Sequence, residues 1–400
     1  WATEDLYATD ALWEETLATL KADTAVLASY AGKLSNADDL YAYLTRTEEV
    51  HVKLGRLGNY SSRKADEDTR NTVYQAMNGK FMSEAVALSA ATSFETPELV
   101  ALSDEQMEAL YAACPGLERY RRYLTDARRR KAHILSPAEE KLLAAAGEMA
   151  DTPDNIFGAF TNADMTFPDA VDGKGEAHPL SSGNFVLYEE SADRALRKSA
   201  YENLYHTYAA SKNTSAALLN GQAKVLKFNS DARKYPFSLD AALDATNVPT
   251  SVYYNLIEAV HQNLDKMHRY VRLRKKLLGV DELHFYDVYA PLVGDLKKSY
   301  TYETAQEMVL KAVAPLGEDY QATVRKAYAE RWIDVYPNRG KRGGAYSGGC
   351  YDSNPYILLN FSGTLDSVST IAHEMGHSMH SWFSRHTQPA QYADYTLFVA

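Results

Sequence analysis

The sequence predicts a mainly α-helical protein with a small β-sheet beside one helix near its C-terminal end. Through the first 150 residues, apolar side chains recur at spacings of three and four with charged side chains opposite them, as in amphipathic helices. Near the end, residues 332–336 and 356–361 are short aromatic and aliphatic runs bounded by Gly, Pro and Asn, which predict strands. A helical apolar stripe then follows Thr364, a good N-cap residue.

One helix start is clear in the N-terminal part. Ser136, Pro137 and Glu139 have the spacing of an N-cap, a proline at the first helical position and a capping box. The regular pattern breaks over residues 151–190, which are rich in Gly, Pro, Asp and Ser, and Asp172-Gly173 predicts a hairpin turn there. We interpret this break as the boundary between two lobes.

The predicted lobes are residues 1–180, a helical lobe, and residues 181–400, the first part of a catalytic domain. Within the second lobe, one helix is expected from Thr250 to Leu278, with Gly279 as its C-terminal stop. The linker between the two late strands is rich in glycine, which either forms turns or lets backbone approach a ligand closely.

The bulk composition excludes several classes of protein. The net charge of −11 argues against a nucleic-acid partner, and the basic run from Arg119 to Lys131 alternates with apolar positions like a solvated helix face. No apolar stretch is long enough to span a bilayer, so no membrane partner is expected. Two cysteines give no disulfide framework, and a cytoplasmic location is predicted. The chain begins with Trp1, so a lost upstream targeting segment stays open.

The pattern that carries chemistry is His373-Glu374-Met375-Gly376-His377, an HExxH sequence on the last predicted helix. Residues four apart lie on one side of a helix, so His373 and His377 can ligate one zinc ion. Glu374 lies about 100° around the helix, where it can act as general base on a metal-activated water without ligating the metal. The alternative is a pair of surface histidines on an amphipathic helix.

A catalytic zinc normally takes three protein ligands, and the third is not evident in the sequence. His380 faces the same side as His377 but lies a further turn away, which favours a role beside the ligands or toward the substrate. The metzincin pattern fails, because His380 and Phe383 stand where Gly and His are required. After Glu374 the only acidic residue is Asp394.

The long segment from Gly340 to Ala400, which includes GKRGGAYSGGCYDSNPYILLNF and HEMGH, resembles the catalytic segment of the M3 metallopeptidases, and within them oligoendopeptidase F. The stretches WATEDLYATDALWEE and ERWIDVYPNRGKR are also similar to that subfamily. The resemblance implies a helical, zincin-like enzyme with a deep channel that admits short peptides. It implies zinc held at His373 and His377, with Glu374 as base.

The resemblance also implies parts that the residues alone do not identify. The family's third zinc ligand is a glutamate, which is expected beyond Ala400, together with donors that stabilise the oxyanion. A C-terminal portion or a second chain is therefore expected to complete the site. By analogy with zincins, an edge strand such as 356–361, or the glycine loop near Tyr346, is expected to align peptide substrate. Tyr346, Gly348, Gly349 and His380 are the substrate-binding candidates.

The sequence thus predicts a zinc-dependent endopeptidase that hydrolyses short oligopeptides. The alternative is a non-catalytic helical scaffold or peptide-binding protein derived from such an enzyme. An intact HExxH favours the enzyme, because a decayed site has no reason to retain Glu374.

Overall fold

The computed structural model of the protein describes residues 1–150, 152–293, 298–396 and 399–400. The chain forms two compact units. The first joins Trp1–Lys131 to Lys298–Ala400, and the second comprises Ala132–Lys297. The first unit is therefore discontinuous in sequence. The sequence predicted a boundary at residue 180 between a helical lobe and a catalytic domain. That domain assignment stays a prediction.

The N-terminal segment of the first unit is helical. Its three long helices each begin at a polar N-cap, Thr9, Asn36 or Asn71, whose side chain accepts a backbone N–H of the first turn. Trp13 and Leu57 are fully buried in the core that these helices enclose. The helices are α1 (Asp10–Ala28), α2 (Ala37–Glu67), α3 (Thr72–Ala91), α4 (Glu95–Ala101), α5 (Asp104–Ala113) and α6 (Arg121–Arg129).

The second unit contains most of the described helices that follow and one hairpin. The predicted capping box is confirmed, since the Glu139 backbone N–H donates to Ser136 Oγ at 3.4 Å and the Ser136 N–H donates to Glu139 Oε2 at 2.9 Å. The elements are α7 (Pro137–Ala150), α8 (Thr152–Ala159), β1 (Ala170–Val171), β2 (Ala177–His178), α9 (Phe185–Glu189), α10 (Arg194–Ala210), α11 (Lys212–Ala232), α12 (Ser238–Asp244), α13 (Thr250–Gln262) and α14 (Leu264–Leu278).

Two predictions made for this unit have different outcomes. The hairpin is confirmed: β1 and β2 pair antiparallel, and Asp172 Oδ1 accepts the N–H groups of Lys174 and Glu176 within the turn. The single helix from Thr250 to Leu278 is wrong, because the chain leaves helical geometry at Asn263. The Asn263 side chain donates to the carbonyl of Ala259 at 2.7 Å, a local hydrogen bond that competes with helix continuation. Gly279 ends α14 at φ 65°, as predicted.

The C-terminal segment returns to the first unit and contains a three-stranded sheet. Trp332 and Ile371 are fully buried in the core between this sheet and its helices. The elements are α15 (Tyr302–Ala312), α16 (Glu318–Ala329), β3 (Ile333–Asp334), β4 (Tyr346–Gly348), β5 (Tyr356–Leu358) and α17 (Leu365–Thr387). This confirms the predicted fold class, a mainly helical protein with a small sheet beside the HExxH helix.

The strand order corrects one expectation. The order is β3-β5-β4, with β5 parallel to β3 and antiparallel to β4. The prediction that 356–361 is an edge strand is wrong, because β5 lies in the centre and its three residues are all buried. The edge next to the glycine-rich linker is β4, which short local periodicity could not reveal.

No helix in the described part of the chain combines the length and the apolar character that crossing a membrane requires.

Candidate active site

The helix that carries HExxH is fixed by its cap and its apolar face. Thr364 Oγ1 accepts the backbone N–H of Ser367 at 3.1 Å, so the predicted N-cap is confirmed. Met375 and Met379 are buried in the core, which turns the opposite side of α17 outward.

His373 and His377 lie on that outer side, and their Nε2 atoms are 3.2 Å apart. Two ligands at about 2.0–2.1 Å from a tetrahedral zinc are separated by roughly 3.3–3.4 Å. The separation of the two Nε2 atoms is therefore close to that of two ligands of one zinc ion. Nitrogen donors of this kind are the ligands that zinc prefers.

Glu374 lies beside these histidines but is buried, with 7% of its surface exposed. Burial raises the pKa of its carboxyl above the usual value, while His373, His377 and the backbone amide of Ser347 act in the opposite direction. The Ser347 amide belongs to β4, so the edge strand and the HExxH helix meet at this carboxylate. A carboxylate in this setting can accept a proton from a water molecule at the histidines.

No third metal-ligating group joins the two histidines within the residues that the structure describes. There, three potential ligands come together only at Asp172, Glu176 and His178 of the β1–β2 hairpin. Asp394, the acidic residue considered from the sequence, lies 3.6 Å from Arg385 Nη2 and its side chain is 92% exposed.

His380 lies one turn beyond the HExxH pair. Its ring stacks on Tyr395, with ring centroids 3.5 Å apart, and the Tyr395 hydroxyl lies 2.9 Å from Ser381 Oγ and 3.3 Å from the carbonyl of His377. A role for His380 toward the substrate stays a prediction.

The other substrate-binding candidates lie on or next to β4, where they contact side chains of the same chain. The Tyr346 hydroxyl donates to Asp66 Oδ2 at 2.7 Å, and burial raises the pKa of this phenol. A side chain at Gly348 would overlap Arg63, and one at Gly349 would lie 2.7 Å from Arg385 Nη1. Both glycines thus make room for arginines of the same chain. Their contact with a substrate stays a prediction.

Four residues around β4 were missed by the sequence reasoning: Ser347, Ser378, Arg63 and Arg385. Ser347 and Ser378 join β4 to α17 through hydroxyls 2.8 Å apart. Arg63 reaches the strand from α2. No local pattern marks these residues, since each acquires its role only through contacts with distant parts of the chain.

Comparison with known proteins agrees with this geometry. The pattern of the family described as Peptidase family M3 matches residues 187–400, and that described as Oligopeptidase F matches residues 98–167. Oligopeptidase PepF of Bacillus subtilis is 39% identical over all of this chain, and Group B oligopeptidase PepB of Streptococcus agalactiae is 38% identical. This chain spans 60% of the length of the first protein and 67% of the second.

Solved structures give the same result. A proposed peptidase from Chlamydophila abortus superposes with a TM-score of 0.89 at 36% identity, over all of this chain and 67% of the other. Oligoendopeptidase-F from Enterococcus faecium superposes with a TM-score of 0.65 at 32% identity, over 94% of this chain and 63% of the other. The family patterns, the sequence identity over the whole of this chain and the shared fold all agree. The chain belongs to peptidase family M3.

Proposed function

We propose that this protein is a zinc-dependent endopeptidase that hydrolyses short oligopeptides in the cytoplasm. The observation that carries the proposal is the pair of Nε2 atoms 3.2 Å apart with the buried Glu374 carboxylate beside them. Two relatives with oligopeptidase in their names, each at least 38% identical, support short peptides as the substrate class.

In this proposal each residue has a separate task. His373 and His377 would hold the zinc ion, which would supply Lewis acidity toward the scissile carbonyl and a lowered pKa for the attacking water. Glu374 accepts the proton of that water on its carboxylate and later donates it to the leaving amine. Burial suits this task, because it raises the pKa of the carboxyl and so favours the protonated form that donates to the leaving amine.

Peptide backbone would align along the free edge of β4 by strand addition. Ser347, the middle residue of this strand, lies next to Glu374, so a peptide bound along the edge would have a carbonyl near the base. A third protein ligand from outside the described residues, or from a second chain, completes the zinc site in this proposal.

The test combines cleavage with metal content. The protein at its natural length is assayed with an internally quenched peptide, with and without a chelator, and zinc is measured by mass spectrometry. Glu374→Gln is expected to retain zinc and to lower kcat about 10²- to 10⁴-fold, whereas His377→Ala is expected to lose both zinc and cleavage. Zinc-loaded protein that cleaves no peptide would instead favour the non-catalytic peptide-binding alternative.

A further inference from the structure

The edge strand β4 is held between two helices that touch it from opposite faces. Successive side chains of a strand point to opposite faces, and here Ser347 contacts Ser378 of α17, whereas Tyr346 contacts Asp66 of α2. Gly348 shares the Tyr346 face, next to Arg63 of α2. The strand beside the proposed base therefore contacts side chains of both helices.

On the α2 face, Arg63 is a buried cation with 8% of its surface exposed. Its guanidinium lies over the rings of Trp1 and Tyr346, 5.9 and 4.9 Å from their centroids. Its Nη2 donates to Asn59 Oδ1 at 3.1 Å, but its buried Nε has no hydrogen-bond partner. Among the described carboxylates, none forms an ion pair with this guanidinium.

On the α17 face, the side chain of Arg385 is also 8% exposed. Its Nη2 donates to the carbonyl of Gly349 at 3.1 Å, while its buried Nε and Nη1 have no hydrogen-bond partner. Gly349 has φ 151°, a conformation that side chains rarely adopt, and its missing Cβ leaves the space that Arg385 Nη1 occupies.

Burying a guanidinium with unmatched donors lowers stability, so packing alone does not account for these two arginines. Arg63 occupies the space where a Cβ of Gly348 would lie, and Arg385 donates to the carbonyl of Gly349, the next residue along the chain. We propose that Arg63 and Arg385 are positioning residues that clamp β4 from its two faces and keep its free edge in place to receive peptide backbone. This inference rests on the proposed peptidase function and adds to it the groups that determine peptide alignment.

Gly348 offers a direct test of the Arg63 half of the clamp. A methyl group at position 348 meets only the flexible end of Arg63, so Gly348→Ala displaces this guanidinium without changing the arginine itself. We expect Gly348→Ala and Arg63→Met each to raise KM about tenfold with kcat changed less than threefold, because strand contacts hold substrate and transition state alike. The double variant is expected to be no worse than either single one.

Arg385 is tested by removal and conservative rescue. Arg385→Met loses the hydrogen bond to the Gly349 carbonyl and is expected to raise KM about tenfold. Arg385→Lys retains one donor and is expected to recover part of that loss. The matched control is Arg122→Met on α6, where an 83% exposed side chain contacts no part of β4, and its KM is expected to equal that of the unaltered protein.

A second readout does not depend on activity. Hydrogen exchange followed by mass spectrometry is expected to show faster exchange over residues 343–351 in Gly348→Ala, Arg63→Met and Arg385→Met, but not in the control. A fall in kcat with unchanged KM would overturn the clamp, since it indicates loss of folded enzyme. A hundredfold, additive loss in the double variant would overturn it as well, as would unaltered exchange over 343–351.

The two proposals fail in different ways. If the unaltered protein shows no chelator-sensitive cleavage, the peptidase proposal fails, whatever the exchange rates are. If it cleaves peptide normally but the three β4-directed variants keep its KM, the clamp alone fails.

Discussion

The two compact units both bury charged side chains, and the cluster around Asp287 in the second differs from the two arginines beside β4 in the first. In the second unit, Asp287 is fully buried and accepts hydrogen bonds from Arg194 and Arg197 at 2.9–3.0 Å. In the first unit, Arg63 and Arg385 form hydrogen bonds of 3.1 Å yet retain buried N–H donors without partners beside β4. The charges around Asp287 are thus matched, whereas beside β4 some buried N–H donors of the two arginines have no hydrogen-bond partner, although Arg385 also lies 3.6 Å from Asp394.

The second unit combines the matched cluster around Asp287 with a small apolar core. The described core of the second unit contains five buried apolar residues, whereas two much larger clusters lie in the first. Burial alone would raise the pKa of Asp287, but hydrogen bonds from Arg194, from the His284 amide and from Arg197 lower it to about 2. Arg274 adds donors to the carbonyls of Asp287 and Ala290. These bonds join the 284–290 segment to α10 and α14.

The largest expected effect comes from breaking the matched cluster. Asp287→Asn leaves the buried Arg197 and the partly exposed Arg194 without their carboxylate, which costs about 3–5 kcal/mol of unfolding free energy. Urea unfolding measures the loss, and limited proteolysis locates it within 132–297. The control is Asp265→Asn at an exposed position of α14. A loss below 1 kcal/mol would show that the cluster does not support the unit.

Within the second unit, the buried carboxyl of Glu189 differs from that of Asp287, and the pH dependence of stability distinguishes the two. Glu189 is 1% exposed, and burial raises its pKa to about 7, partly offset by the positive charge of Arg197. Because the folded pKa lies above the unfolded value near 4.5, this carboxyl contributes most to stability below pH 4.5, and that contribution is lost as pH rises to 7.

We therefore expect Glu189→Gln to match the unaltered protein in acid and to exceed it at pH 8, by on the order of 3 kcal/mol. Urea unfolding at pH 5, 6.5 and 8 provides the measurement. A difference that does not vary with pH would contradict the burial argument. Glu190→Gln is the matched control, since Glu190 is the next residue along the chain and its carboxylate is exposed.

A smaller effect is expected where β4 meets α17. Ser378 is fully buried, and Ser378→Ala leaves the Ser347 hydroxyl without its partner, which costs about 1 kcal/mol. Thermal unfolding measures this change against Ser369→Ala, an exposed position on the same helix. Equal midpoints for the two variants would mean that the hydroxyl pair contributes nothing to holding the strand.

The smallest effect is expected at an exposed ion pair. Lys80 and Glu14 lie 2.5 Å apart with half-exposed side chains, so Glu14→Gln is expected to change stability by less than about 0.5 kcal/mol. Unfolding in low and high salt tests this, since solvent screens such pairs. A loss comparable with that of Asp287→Asn would remove the distinction between buried and exposed charge.

The sequence by itself determined what depends on local geometry. The spacing of His373 and His377 places two nitrogens on one side of any helix, and Thr364 and Gly279 mark helix ends through the conformations and hydrogen bonds of neighbouring residues. The fold class followed from periodicity alone, because an amphipathic helix carries its pattern within a few turns.

Only the tertiary structure decided that β4 is an edge strand and why glycines follow one another at its end. β4 pairs with β5 on one side, and its faces are covered by α2 and α17, from distant parts of the chain. The reason for a glycine at position 348 is evident only from the tertiary structure, in which Arg63 lies against it. No short window of sequence contains both residues. Sheet order and buried-charge contacts join segments far apart in sequence, so local propensity cannot specify them.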